Sequence, residues 1–124
     1  MERVLGIGGT FLRARDPEAL SAWYAQHLGI EVTDWGGAVF SAGDGDATVW
    51  SLFPVATEYF GRAEQQTMLN YRVRDLDAML AQLRAGGAVV EGEVQEDENG
   101  RFGWATDPEG NRFELWEPRV PTPA

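Results

Sequence analysis

The stretch "DPEGNRFELWEP" (residues 107–118) joins a turn to a strand. Its first five residues are typical turn residues, and the apolar and aromatic run that follows favours a β-strand. One carboxylate, Glu114, stands between Phe113 and Leu115. Because successive side chains of a strand point to opposite faces, Phe113 and Leu115 are predicted to face a core and Glu114 the opposite side.

Further from this strand, the chain carries the same helix signal twice. "DPEAL" begins at Asp16 and "DLDAM" at Asp75, and each aspartate is suited to capping a helix. Gly29 is suited to end the first helix, and Gly86 or Gly87 the second. Apolar residues recur at helical spacing in both segments, which predicts one core-facing stripe in each helix. The first stripe is Leu20, Trp23, Tyr24 and Leu28, and the second is Leu76, Met79, Leu80 and Leu83.

A β-prone run precedes each helix, at 4–14 and 67–73, and three short strand candidates follow each helix. The candidates lie at 30–34, 38–42 and 48–53 in the first half and at 88–95, 101–106 and 112–117 in the second. The sequence therefore predicts one α+β domain over residues 1–124, built from two βαβββ modules at 4–54 and 67–118.

Turn signals separate these strand candidates at matching places in the two halves. "GG" (36–37) and "NG" (99–100) favour hairpin turns, and "GDGDA" (43–47) takes the place that "DPEGN" (107–111) has in the second half. Residues 55–66 join the halves without clear periodicity.

Composition excludes several classes of function. The formal net charge is −10 and no basic stripe is present, so a nucleic-acid partner is not expected. The chain has no cysteine and no apolar run long enough for a bilayer, and its start lacks the features of a signal peptide. We therefore expect a cytoplasmic protein without a membrane partner. The one histidine, His27, is expected to be a partly exposed residue near the end of the first helix.

The segments "DPEALSAWYAQHLGIEV" (16–32) and "DPEGNRFELWEP" (107–118), in this order and separation, resemble the vicinal oxygen chelate superfamily. Its members include glyoxalase I, fosfomycin-resistance proteins, extradiol dioxygenases and bleomycin-resistance proteins. The resemblance spans about residues 4–118. It implies that the two modules form a U-shaped, partly open, barrel-like sheet around a cavity, commonly within a homodimer.

The resemblance also implies where metal-using members place their ligands. Two of these positions stand seven residues before the capping aspartates and are Gly9 and Met68. The third is Glu114 on the last strand. The fourth is Trp50, which corresponds to Glu114 when the turn at 43–47 is aligned with the turn at 107–111. Glycine has no ligand atom, the indole is only a donor, and a thioether suits Zn, Ni, Mn or Fe(II) poorly. We therefore predict that the protein holds neither a metal nor a cofactor.

Strand alternation predicts an inner face that is aromatic and apolar with a few polar groups, as in small-molecule sites. The candidate acid on this face is Glu114. The candidate binding residues are Phe11, Trp50, Tyr59, Met68, Asn70, Trp104 and Trp116. Each has a plainer alternative. Glu114 would form an ion pair with Arg13, Arg72 or Arg112, or be exposed, and the tryptophans would fill the core. Asn70 would hydrogen-bond to a neighbouring residue, and Tyr59 would belong to an inert connector.

Three functions remain open from the sequence. The first is a glyoxalase/bleomycin-resistance-like protein that binds a small organic molecule, cationic or aromatic, without a metal. The second is a lyase or isomerase resembling glyoxalase I, in which Glu114 is the acid–base group or a metal ligand. The third is a regulatory or partner-binding domain.

Overall fold

The computed structural model describes residues 1–43 and 46–119. In this part of the chain there are eight strands and two helices, so the predicted α+β class is confirmed. The elements are β1 (Val4–Ala14), α1 (Pro17–Leu28), β2 (Ala38–Gly43), β3 (Asp46–Pro54), β4 (Thr67–Val73), α2 (Leu76–Ala85), β5 (Val89–Val90), β6 (Gln95–Asp97), β7 (Gly100–Thr106) and β8 (Arg112–Pro118). Neither helix of these residues has the length and apolar character that a membrane span requires.

The chain forms two compact units. The first unit is Gly8–Leu69, and the second combines Met1–Ile7 with the described part of Asn70–Ala124. In the first unit, β3 pairs with β1 in parallel and with β2 in antiparallel fashion. In the second, β8 pairs with β4 in parallel and with β7 in antiparallel fashion. The predicted internal repeat is therefore visible in the strand pairing of each unit.

The predicted strand at 30–34 is wrong. The backbone N–H and the hydroxyl of Thr33 both donate to Gly37 O at 2.8 Å, and Gly36 N donates to Thr33 O at 2.9 Å. These bonds make a tight turn, so the same groups are not available for a ladder. The predicted turn at 43–47 includes residues 44 and 45, which lie outside the described residues.

The predicted strand at 88–95 is divided into the short strands β5 and β6, both of which pair with β7. The hairpin turn predicted at "NG" is confirmed, because Asp97 pairs with Gly100 across a two-residue loop. Gly100 has φ +132°, and a Cβ there would lie 2.2 Å from the carbonyl oxygen of Glu117. Only glycine fits this position without displacing β8.

Both predicted helix starts are confirmed. Asp16 Oδ1 accepts from Ala19 N at 3.1 Å, and Asp75 Oδ1 accepts from Ala78 N at 3.0 Å. Each bond satisfies one of the amides that a helix leaves unpaired at its start. The first helix ends at Gly29, whose φ of +68° is left-handed, as predicted.

The predicted core stripe of α1 is only partly correct. Trp23 is 49% exposed and Leu28 is also exposed, whereas Tyr24 packs edge-on against Trp50 with ring centroids 5.1 Å apart. Neighbouring helix positions differ by about 100° in direction. Because Tyr24 faces the sheet, Trp23 points outward and stacks on His27 at 4.6 Å.

The predicted stripe of α2 does form a core. Leu76, Met79 and Leu80 are buried with Val73 and Leu115. Each such side chain contributes about 1.5–3 kcal/mol on full burial. Phe113 and Tyr71 pack against the same cluster. The residues on either side of Glu114 therefore face the helix, as predicted.

Candidate functional site

The candidate site is a row of side chains across β4, β8 and β7 in the second unit. Asn70 and Trp104 are the register partners of Glu114 on the two neighbouring strands. Asn70 Nδ2 donates to Glu114 Oε1 at 2.5 Å, and Trp104 Nε1 donates to Glu114 Oε2 at 3.0 Å. All three residues are buried, with Glu114 only 3% exposed. The carboxylate is thus oriented at both of its oxygens.

Strand alternation explains why these groups meet. Phe113 and Leu115 lie on the side of the α2 core, so Glu114 between them points to the other face of β8. The sequence named Glu114, Asn70 and Trp104 as candidates, and the structure brings these three together.

One atom of this row has no partner. Asn70 is buried, and its Oδ1 has no hydrogen-bond partner within residues 1–43 and 46–119. A buried acceptor left unpaired costs about 1–3 kcal/mol. A water molecule or a donor from a ligand would satisfy this acceptor.

The next row along the same face is aromatic and cationic. Arg72 and Phe102 are the register partners of Trp116. The Phe102 and Trp116 rings stack at 6.1 Å with an interplanar angle of 3°, and Trp116 Nε1 donates to Asn99 O at 2.9 Å. Trp116 therefore lies on the face of Glu114, as predicted, and its indole nitrogen is bonded to a turn.

Trp104 is in contact with a charged pair formed by Glu91 and Arg112. Arg112 Nε and Nη2 donate to the two carboxylate oxygens of Glu91 at 2.7 and 2.8 Å. These hydrogen bonds hold the pKa of Glu91 below its usual value, against the opposing effect of desolvation. The Arg112 guanidinium also lies 5.2 Å from the Trp104 ring centroid. No local pattern in the sequence indicates the role of Glu91, because that role depends on where β5 lies.

Arg13, a predicted ion-pair candidate for Glu114, has a different set of acceptors in the first unit. Its guanidinium donates to the carbonyl oxygens of Gln65, Val55 and Thr57 at 2.7 Å and of Arg62 at 3.1 Å. Arg13 is 6% exposed. It therefore fastens the connector 55–66 to β1.

The apolar candidates of the first unit form a packed cluster. Phe11 and Met68 are buried together with Phe60. Tyr59 lies parallel to Phe53 with ring centroids 5.3 Å apart, and Phe60 meets the same ring edge-on at 5.2 Å. Two aromatic residues of the connector thus pack against this face of β1 and β3.

The predicted face of Trp50 is wrong. Trp50 pairs with Thr10, and its ring contacts Tyr24 on the helix side of the sheet. The residue opposite Phe11 in the parallel ladder is Ser51, just as Glu114 is opposite Asn70. Ser51 is therefore the true counterpart of Glu114 in the internal repeat. The alignment of the turns at 43–47 and 107–111 selected Trp50 instead of Ser51, because the β2–β3 hairpin contains a register shift.

The residues at the superfamily's metal positions do not fit a transition-metal site. A Cβ added at Gly9 would lie 2.9 Å from Phe11 Cε1, so the neighbouring ring takes the space of a ligand. Met68 is packed in the cluster of Phe11, and neither Trp50 nor Ser51 offers a usual ligand atom. Within the described ranges, no three His, Cys, Asp or Glu side chains converge.

Comparisons with known proteins agree with this architecture. The family model described as a glyoxalase-like domain matches residues 9–116. Among solved structures, methylmalonyl-CoA epimerase from Mycobacterium tuberculosis is 26% identical, with a TM-score of 0.67 over 94% of this chain and 90% of that chain. A variant methylmalonyl-CoA epimerase from Streptomyces coelicolor, in complex with 2-nitronate-propionyl-CoA, is 18% identical, with a TM-score of 0.72 over 95% of this chain and 100% of that chain.

A glyoxalase/bleomycin resistance protein/dioxygenase superfamily member from Vibrio splendidus 12B01 shares the fold at 14% identity, with a TM-score of 0.56 over 94% of this chain and 99% of that chain. None of the curated proteins compared with the sequence matched it. The family model covers most of the chain, and the structural neighbours have the same fold. The chain belongs to the glyoxalase-like domain family.

Proposed function

We propose that this protein binds a small organic molecule, without a metal ion, at the face of β4, β8 and β7 that carries Asn70, Glu114 and Trp104. The observation that carries the proposal is the Glu114 carboxylate, held at both oxygens, beside an Asn70 Oδ1 that has no partner among the described residues. Buried polar groups arranged in advance are what a binding site uses to fix the orientation of a ligand.

The chemistry of these groups selects a ligand that donates hydrogen bonds. A carboxylate and an amide oxygen are both acceptors, so a hydroxyl, ammonium or amidinium group is their complement. The formal charge of −10 attracts cations over a longer range. The stacked rings of Phe102 and Trp116, one row further along, offer a flat apolar surface for the body of the ligand.

The donor set supports the proposed metal independence. Gly9, Met68 and Ser51 supply no carboxylate, imidazole or thiolate, which leaves Glu114 as the one conventional ligand among the superfamily positions. Glu114 already accepts from two side chains. The superfamily resemblance further supports a cytoplasmic homodimer that functions as one domain over the whole chain.

A titration of tryptophan emission tests the proposal. The purified protein is treated with EDTA and titrated with a panel of compounds that join a cationic or hydroxyl-bearing group to an aromatic ring. We expect a saturable change in the wild type and in Glu109→Gln, a control on the exposed turn before β8, and its loss in Glu114→Gln. Binding that is unchanged in Glu114→Gln would overturn the proposal.

The burial of Glu114 also favours a second function, acid–base catalysis of an isomerase or lyase type. A buried and oriented carboxylate is suited to take a proton from the carbon beside a carbonyl, with the C–H electrons moving onto the carbonyl oxygen, and then to return the proton to carbon. The epimerase from M. tuberculosis, 26% identical, makes methylmalonyl-CoA the first compound to test. Deuterium uptake from D₂O that requires Glu114 would support this function, and no uptake in the wild type would exclude it for that compound.

A further inference from the structure

Trp104, Glu91 and Arg112 form a closed triangle of contacts, and a fourth contact joins the Trp104 indole to Glu114. Glu91 N donates to Trp104 O at 2.9 Å, and the Glu91 carboxylate takes two hydrogen bonds from Arg112 at 2.7 and 2.8 Å. The Arg112 guanidinium lies over the Trp104 ring at 5.2 Å, and the ring nitrogen donates to Glu114 at 3.0 Å. Glu91 and Arg112 are therefore connected to the proposed site through Trp104.

We propose that Glu91 and Arg112 are positioning residues, which hold the Trp104 indole in the orientation that brings its Nε1 to Glu114. The inference rests on the proposed function, because these two residues would influence ligand binding by orienting the indole that bonds to Glu114. Neither residue belongs to the row of Asn70, Glu114 and Trp104, although Arg112 lies on the same face of β8 as Glu114.

Each contact removes a different freedom of the indole. The backbone hydrogen bond from Glu91 fixes the main chain of Trp104 beside β5. The guanidinium covers one face of the ring, which opposes rotation of the indole about its second side-chain torsion. The paired hydrogen bonds to Glu91 keep the guanidinium plane itself from turning, because a bidentate pair fixes geometry as well as distance.

The chemistry of arginine is needed for this arrangement. A lysine at position 112 would keep the positive charge, but it would lose the planar fork and the flat contact with the ring. The carboxylate of Glu91 is in turn needed to hold the fork, and Glu91 is partly exposed, so its replacement leaves the core of the unit intact. Arg112→Lys keeps the positive charge, and Glu91→Gln keeps the core of the unit. Together they distinguish a loss of positioning from a loss of charge and from a loss of folding.

The test measures the Trp104 indole N–H in the protein without any ligand. Its ¹H–¹⁵N signal is assigned by its absence in Trp104→Phe, and its hydrogen-exchange rate is compared among variants. We expect exchange to be about tenfold faster in both Glu91→Gln and Arg112→Lys, which corresponds to a loss of about 1.4 kcal/mol in the free energy that opposes opening of the indole N–H. The matched control is Asp77→Asn, which breaks the other bidentate pair, with Arg101, at a distance from Trp104; it should leave the rate unchanged.

An exchange rate of the Trp104 indole that is unchanged in Glu91→Gln would overturn the inference. An exchange rate raised as much in Asp77→Asn as in Glu91→Gln would also overturn it, because it would indicate a loss of overall stability. Unchanged exchange in Arg112→Lys would contradict the role of the guanidinium plane. Where the titration panel yields a ligand, we expect Glu91→Gln to raise its Kd about tenfold. If no ligand is found, the proposed function fails while the exchange measurement still decides the positioning role.

Discussion

Trp104 and Glu114 are register partners on β7 and β8, and the indole Nε1 of one donates to a carboxylate oxygen of the other at 3.0 Å. The bond joins the two longest strands of the second unit through their side chains as well as through their backbones. It also occupies one oxygen of the single carboxylate found among the superfamily's metal positions.

Trp104→Phe tests the strength of this bond. Phenylalanine keeps most of the buried ring but removes the donor, and a hydrogen bond to a charged group contributes about 1.5–3 kcal/mol. We expect the free energy of unfolding in urea to fall by at least that amount. Trp35→Phe is the control, because Trp35 is 55% exposed and its loss should change stability little. Equal losses in the two variants would show that the bond to Glu114 contributes nothing.

Arg13→Met should release the connector 55–66 from β1. The guanidinium donates to four connector carbonyls, and a buried acceptor left unpaired costs about 1–3 kcal/mol. We expect a loss of about 2 kcal/mol or more in unfolding free energy and faster proteolysis within the connector. Arg15→Met, an exposed neighbour, should stay within about 0.5 kcal/mol of the wild type. A connector as resistant in Arg13→Met as in Arg15→Met would contradict this account.

The Glu91–Arg112 pair predicts a dependence of stability on pH. The folded-state pKa of Glu91 lies below the ordinary glutamate value of 4.5, so the unfolded chain binds more protons between the two values. The contribution of Glu91 is therefore fully present above about pH 5, and it is lost as the pH falls through the folded-state pKa. We expect Glu91→Gln to be less stable than the wild type at pH 7, and we expect the difference to shrink as the pH falls below 4.5. A difference in unfolding free energy that stays constant over this range would refute the prediction.

Gly9→His tests whether the first superfamily position is closed to a ligand. The Phe11 ring lies 2.9 Å from the place of a Cβ, so a histidine side chain would have to displace it. Overpacking of this kind costs about 1–3 kcal/mol. We expect a lower thermal midpoint and no stoichiometric Ni²⁺ binding by calorimetry. Gly92→His is the control, since a Cβ there meets nothing within 4 Å. Tight Ni²⁺ binding by Gly9→His with unchanged stability would show that the position is open.

The helices and the long strands could be predicted because their signals are local. Asp16 and Asp75 cap the helices that their sequence neighbourhoods indicate, and β1 and β4 have the predicted bounds. Glu114 and Asn70 were assigned to the correct faces because both lie on regular strands, where alternation holds without interruption.

The faces of Trp23 and Trp50 could not be predicted from local pattern. Trp23 and Tyr24 both belong to an apolar stripe, and only the position of Trp50 beneath the helix decides which ring turns inward. The assignment of Trp50 failed at a register shift in the β2–β3 hairpin, which no turn residue announces. The contact of Glu91 with Arg112 likewise depends on the pairing of β5 with β7, because the two residues are 21 positions apart in the sequence.

The most direct test of metal-independent binding at Glu114 is calorimetric titration of the best ligand of the panel into protein freed of metal by EDTA. The account predicts saturable binding by the wild type that is the same before and after EDTA, and a Kd at least tenfold higher in Glu114→Gln. Binding that disappears with EDTA and returns with Ni²⁺ or Zn²⁺ would contradict it.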